Sequence, residues 1–316
     1  GGMGEVYLAE HLLLEREVAV KGLRSDLGGP GHLERFLREA RMCSRVEHPN
    51  VVTIHNVLEE HERYYIVMQY VPGRNLVQWV ESQGPLPWRS CLRLIQLAAR
   101  GLHAVHSHNL VHRDVKPSNI MLSDESRVVL MDFGLVREEQ ADARLTDSGQ
   151  VVGTLKFMSP EQVRGEPLDR RSDIFSLGAT LYYLLTAQLP FPGSRHEVIM
   201  RLGGGDSPVP IEQYNPAAPP EVGEFVARVM APLPQGRFAD AATIARELKN
   251  LIHTCEASTT MPWRRGANPE IGPGAPSPSE LAPVELLPLE SAWESLSRRV
   301  PPIGLTACAV DAGLPR

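Results

Sequence analysis

The chain lacks the features that mark several classes of protein. It has four cysteines in 316 residues, and no two of them form a CxxC pair. A disulfide framework or a zinc ribbon is therefore not expected, and a reducing cytoplasmic location fits this pattern best. No apolar run reaches the roughly 18 residues that a membrane span needs, and no charged-then-apolar signal peptide opens the sequence.

Positive charge is not in excess either. The formal net charge is −6 and the pI is about 6.0, so a nucleic-acid partner is not expected. No segment repeats with a period of about 20–50 residues. With 42% hydrophobic residues the chain can bury a sizeable core, as one large domain or two smaller ones. Because it begins with Gly-Gly and not Met, we expect a fragment or an excised domain.

Polar residues are concentrated in two turns between short apolar runs. The first turn reads Val-His-Arg-Asp-Val-Lys-Pro-Ser-Asn over 111–119, and the second reads Met-Asp-Phe-Gly over 131–134. Together they hold two carboxylates, a lysine, an arginine and a carboxamide. Phosphoryl transfer needs such a set: a carboxylate to receive a hydroxyl proton, a cation on the moving phosphate and oxygen ligands for Mg²⁺.

In order and spacing these motifs resemble the catalytic loop and metal-binding motif of protein Ser/Thr kinases, of the eukaryote-like type found in bacteria. The resemblance runs from Gly1 to about Ile252. It implies an α+β, two-lobed kinase fold, with a small antiparallel β-sheet lobe carrying one helix and a larger, mainly helical lobe. The implied division is 1–71 for the small lobe, without its first strand and the start of its Gly-rich loop, and 72–254 for the large lobe. The implied cofactors are ATP and Mg²⁺, and the implied partners are proteins with Ser or Thr acceptors.

The resemblance assigns roles to most of the polar residues in the large-lobe turns. Asp114 would accept the substrate hydroxyl's proton, and Lys116 would neutralise the γ-phosphate, a lysine typical of Ser/Thr kinases. Asn119 and Asp132 would bind Mg²⁺. Thr154 would hydrogen-bond near Asp114 and Lys116. Two roles are open for Arg113: it forms a structural ion pair, or it binds a phosphate on the activation loop.

The small lobe would hold the nucleotide. By itself the glycine-rich start reads most simply as a hairpin turn, and a Walker loop is excluded because no Gly-Lys-Ser/Thr follows. In the kinase pattern, Lys21 binds the α- and β-phosphates and Glu39 pairs with it; alone, either would be read as a surface charge. The other expected nucleotide contacts are the phosphate loop Gly1, Gly2, Met3 and Gly4, and the adenine-site residues Val6, Ala19, Met68 (gatekeeper), Gln69 and Val71 (hinge) and Met121.

The polar stretch from Asp132 to Glu161 reads as a mobile loop. Thr146 and Ser148 are its candidate phosphorylation sites, with trans-autophosphorylation through self-association as the expected route. The segment from Gly153 to Glu161 resembles the family's substrate-docking segment, in which Leu155 and Phe157 replace a common proline and a common tyrosine.

Several helices of the large lobe are predicted from apolar spacing. They are Trp88 to His108, the all-round apolar run Ile174 to Leu185, Phe225 to Met230, and Ala241 to Ile252. The resemblance implies that Asp173 holds the catalytic loop from below and that Arg237 pairs with Glu161. His103, His106 and His108 read as cations or polar caps at a helix end in preference to a metal site.

Residues 255–316 are rich in proline and are predicted to be a linker or disordered tail, in which Ala292-Trp293 is either a docking motif or passive. One competing function is a nucleotide-binding scaffold that signals by contact, supported by the missing start of the glycine loop. Another is a small-molecule kinase, which ranks last because the docking segment is present.

Overall fold

A computed structural model describes residues 6–22, 32–60, 63–132 and 155–259; within helices, nothing is described of the side chains of 32–36, 39 and 256–259. The chain forms two lobes, the smaller built on an antiparallel sheet and the larger mainly helical, as predicted. Of the helices that the structure describes, none combines the length and the apolarity needed to cross a bilayer.

The small lobe is a four-stranded sheet of order β1-β2-β4-β3 in which every neighbouring pair is antiparallel. Its elements are β1 (Val6–His11), β2 (Arg16–Gly22), α1 (His32–Cys43), β3 (Ile54–Glu60) and β4 (Arg63–Gln69). Strand β2 lies inside the sheet and is buried from Val18 to Lys21. Lys21 is therefore held on a central strand with its side chain at the lobe's inner edge.

The large lobe follows a short second sheet. That sheet has the order β5-β6-β7, from β5 (Gly73–Asn75), β6 (Ile120–Ser123) and β7 (Val128–Leu130). The helices are α2 (Leu76–Gln83), α3 (Trp88–Ser107), α4 (Pro160–Arg164), α5 (Arg170–Thr186), α6 (Arg195–Gly204), α7 (Pro220–Val229) and α8 (Ala241–Thr259).

Helix α5 is the centre of the large lobe. Its apolar side chains are buried almost all round, and Ile174, Phe175, Leu181 and Tyr182 are among the largest fully buried side chains of the described chain. A helix without a polar face must be enclosed by other elements. The all-round apolar pattern seen in the sequence thus corresponds to a central helix, as expected.

Two details differ from the sequence reading. Helix α8 continues to Thr259, past the predicted start of the tail at 255, because Cys255 follows Ile252 by one turn and both are buried in the large-lobe core. The apolar run from Val51 to Leu58 predicts a strand, but strand β3 begins only at Ile54. Val51 instead forms a parallel bridge with Leu130, and the N–H of Val52 donates to the Leu130 carbonyl at 2.9 Å.

The loop before β3 also joins the lobes at Asn50. Its side-chain amide donates to the Val128 carbonyl at 2.7 Å, and its own carbonyl accepts from the Leu130 N–H at 3.0 Å. Helix α3 passes directly over this loop, since a Cβ at residue 101 would overlap the Asn50 carbonyl. Glycine at 101 therefore permits the close approach that fixes β7, and β7 leads straight to Asp132.

Candidate active site

The catalytic loop brings the predicted base, cation and amide into contact. Asp114 is 3% exposed, and its Oδ2 lies 2.9 Å from the Lys116 Nζ. The Asn119 Nδ2 donates to the same Oδ2 and to the Asp114 carbonyl, both at 2.9 Å. A 3₁₀ turn over Pro117–Asn119 turns the chain back and makes these contacts possible. The amide nitrogen of Asn119 thus faces Asp114, which leaves its Oδ1 as the oxygen for other ligands.

A buried carboxylate holds this loop from below. Asp173, in the first turn of α5, accepts from the N–H groups of His112 (Oδ2, 2.7 Å) and Arg113 (Oδ1, 2.8 Å). The His106 Nε2 lies 2.8 Å from the Asp173 Oδ2, and it donates because a carboxylate only accepts. The expected contact between Asp173 and the catalytic loop is therefore present.

The main chain at Arg113 is in the left-handed region, with φ of 64°. Such a conformation costs free energy for a residue with a side chain and persists where neighbours hold it. Here Asp173 binds the Arg113 N–H, and the Gln162 Nε2 donates to the Arg113 carbonyl at 2.9 Å. Helix α4 therefore positions the residue next to the proposed base.

Hydrogen bonds join the catalytic loop to the residue before Asp132. The His112 Nε2 contacts the Met131 carbonyl at 2.9 Å, and the Met131 N–H donates to the Asn119 carbonyl at 2.8 Å. A carbonyl only accepts, so His112 carries its proton on Nε2 in this contact. These bonds place Asp132 beside the turn that carries Asn119.

Asp132 meets the small lobe at Lys21. The Lys21 Nζ lies 2.7 Å from the Asp132 Oδ1, with side-chain exposures of 8% and 30%. Asp132 has a φ of 46°, again in the left-handed region. A cation suited to phosphate and a carboxylate suited to a divalent cation thus face each other between the lobes.

Four of the six expected adenine-site residues share one apolar cluster. Ala19, Met68 and Val71 are buried in it, and Met121 packs against it. Ala19 and Met68 are paired across β2 and β4. Gln69 is half-buried, and Val6, opposite Lys21 on β1, is 55% exposed. Four of the six predicted positions thus form an apolar surface next to Lys21, and the other two lie at its margin.

Some of the predicted residues lie outside what the structure describes. Helix α1 includes Glu39, but the side chain of Glu39 is not described, so its pairing with Lys21 stays a prediction. The same holds for the phosphate-loop residues Gly1, Gly2, Met3 and Gly4, for Thr154, and for the candidate phosphorylation sites Thr146 and Ser148.

A buried ion pair ties the docking segment to the loop before α8. Arg237 donates to both carboxylate oxygens of Glu161, at 2.6 and 2.9 Å, as the sequence predicted. Burial opposes ionisation of Glu161, but the hydrogen bonds and charge of Arg237 outweigh it and hold the pKa of Glu161 below its ordinary value. Arg237 also donates to the carbonyls of Ala231, Pro232 and Arg171.

The three histidines at the end of α3 have different environments. His108 contacts the Ala104 carbonyl through Nδ1 at 2.9 Å, which is the helix-end cap expected from the sequence. His106 binds Asp173, a role that the sequence reading missed; its only signal was its place one turn before the catalytic loop. Across the described residues, no group of three or more His, Cys, Asp or Glu is arranged to hold a metal ion.

Comparison with known proteins points to the same family of enzymes as the fold and the geometry of the site. A family model described as "Protein kinase domain" matches residues 1–257. The chain is 39% identical over 254 residues to the serine/threonine-protein kinase PknB of Mycolicibacterium smegmatis, covering 78% of this chain and 41% of that protein. It is 35% identical over 251 residues to the serine/threonine-protein kinase PrkC of Bacillus subtilis, covering 79% and 38%. The chain thus spans about two fifths of the length of the curated relatives it matches.

Proposed function

Since this chain belongs to the protein kinase family, we propose that it transfers the γ-phosphoryl group of ATP to Ser and Thr hydroxyls of proteins. The observation that carries the proposal is the contact of Asp114 with both Lys116 and Asn119, in a loop hydrogen-bonded to the segment of Asp132. Asp132 in turn meets Lys21 of the other lobe. These residues come from distant parts of the sequence, and phosphoryl transfer uses all of them.

The residues have distinct roles in the proposed reaction. Asp114 orients the acceptor hydroxyl and takes its proton as the oxygen bonds to the γ-phosphorus and the bond from that phosphorus to the ADP oxygen breaks. Lys116, next to Asp114, neutralises charge on the moving group. Lys21 binds the α- and β-phosphates, and the apolar surface of Ala19, Met68 and Met121 receives the adenine.

Two oxygen donors fit Mg²⁺. Asn119 presents Oδ1 because its nitrogen faces Asp114, and Asp132 presents a partly exposed carboxylate. Both are hard oxygen ligands of the kind Mg²⁺ prefers, with its remaining positions left for water and phosphate. The ion would supply charge neutralisation across the phosphates. In this arrangement Lys21 exchanges Asp132 for phosphate oxygens when nucleotide binds.

The proposal also includes regulation of the activity by phosphorylation. Thr146 becomes phosphorylated by a second copy of the chain, and the phosphate binds near Arg113, which already stands next to the base.

The relatives are named as serine/threonine kinases, and Lys116 occupies the position that suits such acceptors. The cysteine pattern supports work in the cytoplasm. Division into a small lobe at 1–71 and a large lobe from 72 is the domain arrangement we propose.

The test is transfer of labelled phosphate from MgATP to a generic basic protein by the wild type, Asp114→Asn and Asp124→Asn. Asp114→Asn should lower the rate by about 10²–10⁴-fold, since positioned proton acceptors contribute that much. Asp124→Asn, on an exposed turn, should leave the rate unchanged. Label on Ser and Thr at equal rates in wild type and Asp114→Asn would refute the assigned base, and no transfer by any of the three would favour a binding scaffold.

The regulatory part has its own readout. Intact-mass measurement and peptide mapping after incubation with ATP should find phosphate on Thr146. A chain that transfers phosphate to the basic protein but carries none between Arg137 and Gly153 would remove the autophosphorylation proposal and leave the activity standing.

A further inference from the structure

The side chain of Gln162 joins two stretches of main chain that lie beside the proposed base. Its Nε2 donates to the carbonyl of Arg113 at 2.9 Å, and its Oε1 accepts from the N–H of Ser159 at 2.9 Å. Gln162 is 2% exposed and Ser159 is fully buried, so water has little access to either bond. One carboxamide group therefore links the docking segment to the residue that precedes Asp114.

The Arg113 carbonyl belongs to the peptide group that leads into the base. This planar group consists of the Arg113 C=O and the Asp114 N–H, and it turns as one unit. Gln162 binds its carbonyl end at 2.9 Å, while its N–H end lies 3.4 Å from the His112 Nδ1, which is long for a hydrogen bond. The bond from Gln162 is therefore the stronger of the two contacts that orient this peptide group.

The conformation of Arg113 needs contacts on both of its sides. Its φ of 64° lies in the left-handed region, which is unfavourable for a residue that carries a Cβ. The Arg113 N–H donates to Asp173 at 2.8 Å on one side, and the Arg113 carbonyl accepts from Gln162 on the other. If the amide of Gln162 is removed, the peptide group before Asp114 can turn while Asp173 still binds the Arg113 N–H.

A water molecule does not fit where the amide binds. Gln162, Phe157 and Met158 line one small cavity together with Arg113 and Asp114, and this cavity has no room for a water molecule. A main-chain carbonyl withdrawn from water is costly to leave without a donor. Loss of the amide would therefore turn the peptide group toward another donor, and the main chain of Asp114 would turn with it.

The other end of this link lies on a well-packed part of the large lobe. Phe157 and Met158 of the docking segment are buried in the large-lobe core. The Phe157 ring meets the Tyr183 ring edge to face, with 6.0 Å between the ring centroids. Glu161, the residue before Gln162, is held by its ion pair with Arg237. Gln162 therefore has a fixed position as long as the docking segment is packed on the core.

We propose that Gln162 is a positioning residue that couples the docking segment to the base. Its amide orients the peptide group before Asp114, so that the base is aimed at the acceptor hydroxyl only when the docking segment is packed in place. Lys116 and Asn119 hold the carboxylate of Asp114, and Gln162 holds its main chain. The inference rests on the proposed function, because it concerns the base of that reaction.

The test compares kcat for phosphate transfer to a basic protein, at saturating MgATP, in matched variants. Gln162→Met keeps the length of the side chain and removes the amide. We expect kcat to fall at least about tenfold, because misplacing a catalytic group by about 1 Å costs on the order of 10²-fold. The KM for ATP should stay within about twofold of the wild type, since Lys21 lies on β2 and the substitution leaves it unchanged.

Gln96 supplies the matched control. Its Nε2 also donates to a main-chain carbonyl of another element, that of Ala245 in α8, at 3.2 Å. Gln96→Met removes this bond and should leave kcat unchanged. Thermal unfolding of both variants shows whether they remain folded.

A second variant at the same position, Gln162→Asn, keeps an amide but is one methylene shorter, so it cannot reach the Arg113 carbonyl. It should lower kcat as Gln162→Met does. Wild-type kcat in a folded Gln162→Met or Gln162→Asn chain, or an equal fall in Gln96→Met, would overturn the proposal.

A double variant separates positioning of the base from a merely structural role. If Gln162 acts through Asp114, adding Gln162→Met to Asp114→Asn should lower the remaining rate by no more than about twofold. A further fall as large as in the wild-type background would show that Gln162 acts independently of the base, and it would overturn this inference alone. An Asp114→Asn chain as fast as the wild type would instead refute the base itself and this inference with it.

Discussion

The two lobes hold their proposed catalytic residues in different ways. In the large lobe, Asp114 and Asn119 stand on a loop fixed by Asp173, a side chain that is 1% exposed and accepts from two main-chain N–H groups and His106. In the small lobe, Lys21 has its side-chain contact with Asp132 across the cleft. The large lobe therefore holds its part of the site through contacts within that lobe. The lysine of the small lobe is instead paired with a residue of the large lobe.

This difference has an energetic consequence. Buried networks are costly to break because the partner left behind stays desolvated. A partly exposed ion pair contributes little to stability, since water and other ligands can replace either member. Substitutions in the large-lobe network should therefore unfold the protein more readily than substitutions in the cleft.

The largest effect on stability should come from Glu161→Gln. It leaves the buried Arg237 without its carboxylate, and removing one member of a buried ion pair costs about 3–5 kcal/mol. Denaturant unfolding measures the change. The matched control is Glu166→Gln, whose ion pair with Arg164 is exposed and should change stability little. Similar losses in both variants would show that the large-lobe network is no stronger than a surface pair.

The same pair predicts a pH dependence. The folded-state pKa of Glu161 lies below its ordinary value of 4.5, so its stabilisation is complete above that pH and is lost as pH falls through the folded-state pKa. The wild type should lose stability on acidification below about pH 4.5 more steeply than Glu161→Gln. Thermal unfolding at stepped pH measures this slope, and parallel curves would contradict it.

An intermediate effect is expected where the lobes meet. Gly101→Ala places a Cβ on the Asn50 carbonyl, which is main chain and cannot move alone. Overpacking of this kind costs about 1–3 kcal/mol. Gly203→Ala, in α6 with open space around it, should instead stabilise by up to about 1 kcal/mol through helix propensity. Opposite shifts in denaturant midpoint are expected, and a stabilising Gly101→Ala would disprove the close approach.

The smallest effect on stability should come from Lys21→Met. The pair with Asp132 is partly exposed, so its loss should change the free energy of unfolding by no more than about 1 kcal/mol. Transfer of phosphate should nevertheless fall by about 10²–10³-fold, because a fixed cation on the phosphates is lost. A large loss of stability with an unchanged rate of transfer would contradict the difference proposed here between the two lobes.

Much of the site could be predicted from the sequence because its residues occur in motifs of fixed spacing. Asp114, Lys116 and Asn119 lie within one short turn of consecutive residues, so the contacts between them follow from local sequence. The pair of Glu161 with Arg237 was predicted through family resemblance, and the all-round apolar pattern of α5 indicated a buried helix directly.

The remaining features depend on tertiary contacts that leave little trace in the sequence. His106 looked like a helix-end residue because nothing local marks its contact with Asp173. Val51 and Val52 looked like strand residues, but the carbonyl of Asn50 and the main chain of Leu130 fix them in a bridge before β3. Strand β5 and helix α6 were not predicted, since the short polar and glycine-containing runs that form them carry no clear period.

The most direct test of the central claim, that Lys21 and Asp132 meet in one cleft and act together on the same bound MgATP, is a double-mutant cycle in the phosphate-transfer rate. Lys21→Met and Asp132→Asn should each lower the rate by at least about 10²-fold. Because residues that act as a unit are strongly non-additive, the double variant should be no slower than the slower single variant. A double variant slowed by the product of the two single effects, about 10⁴-fold or more, would show that the two residues act independently and would contradict the account.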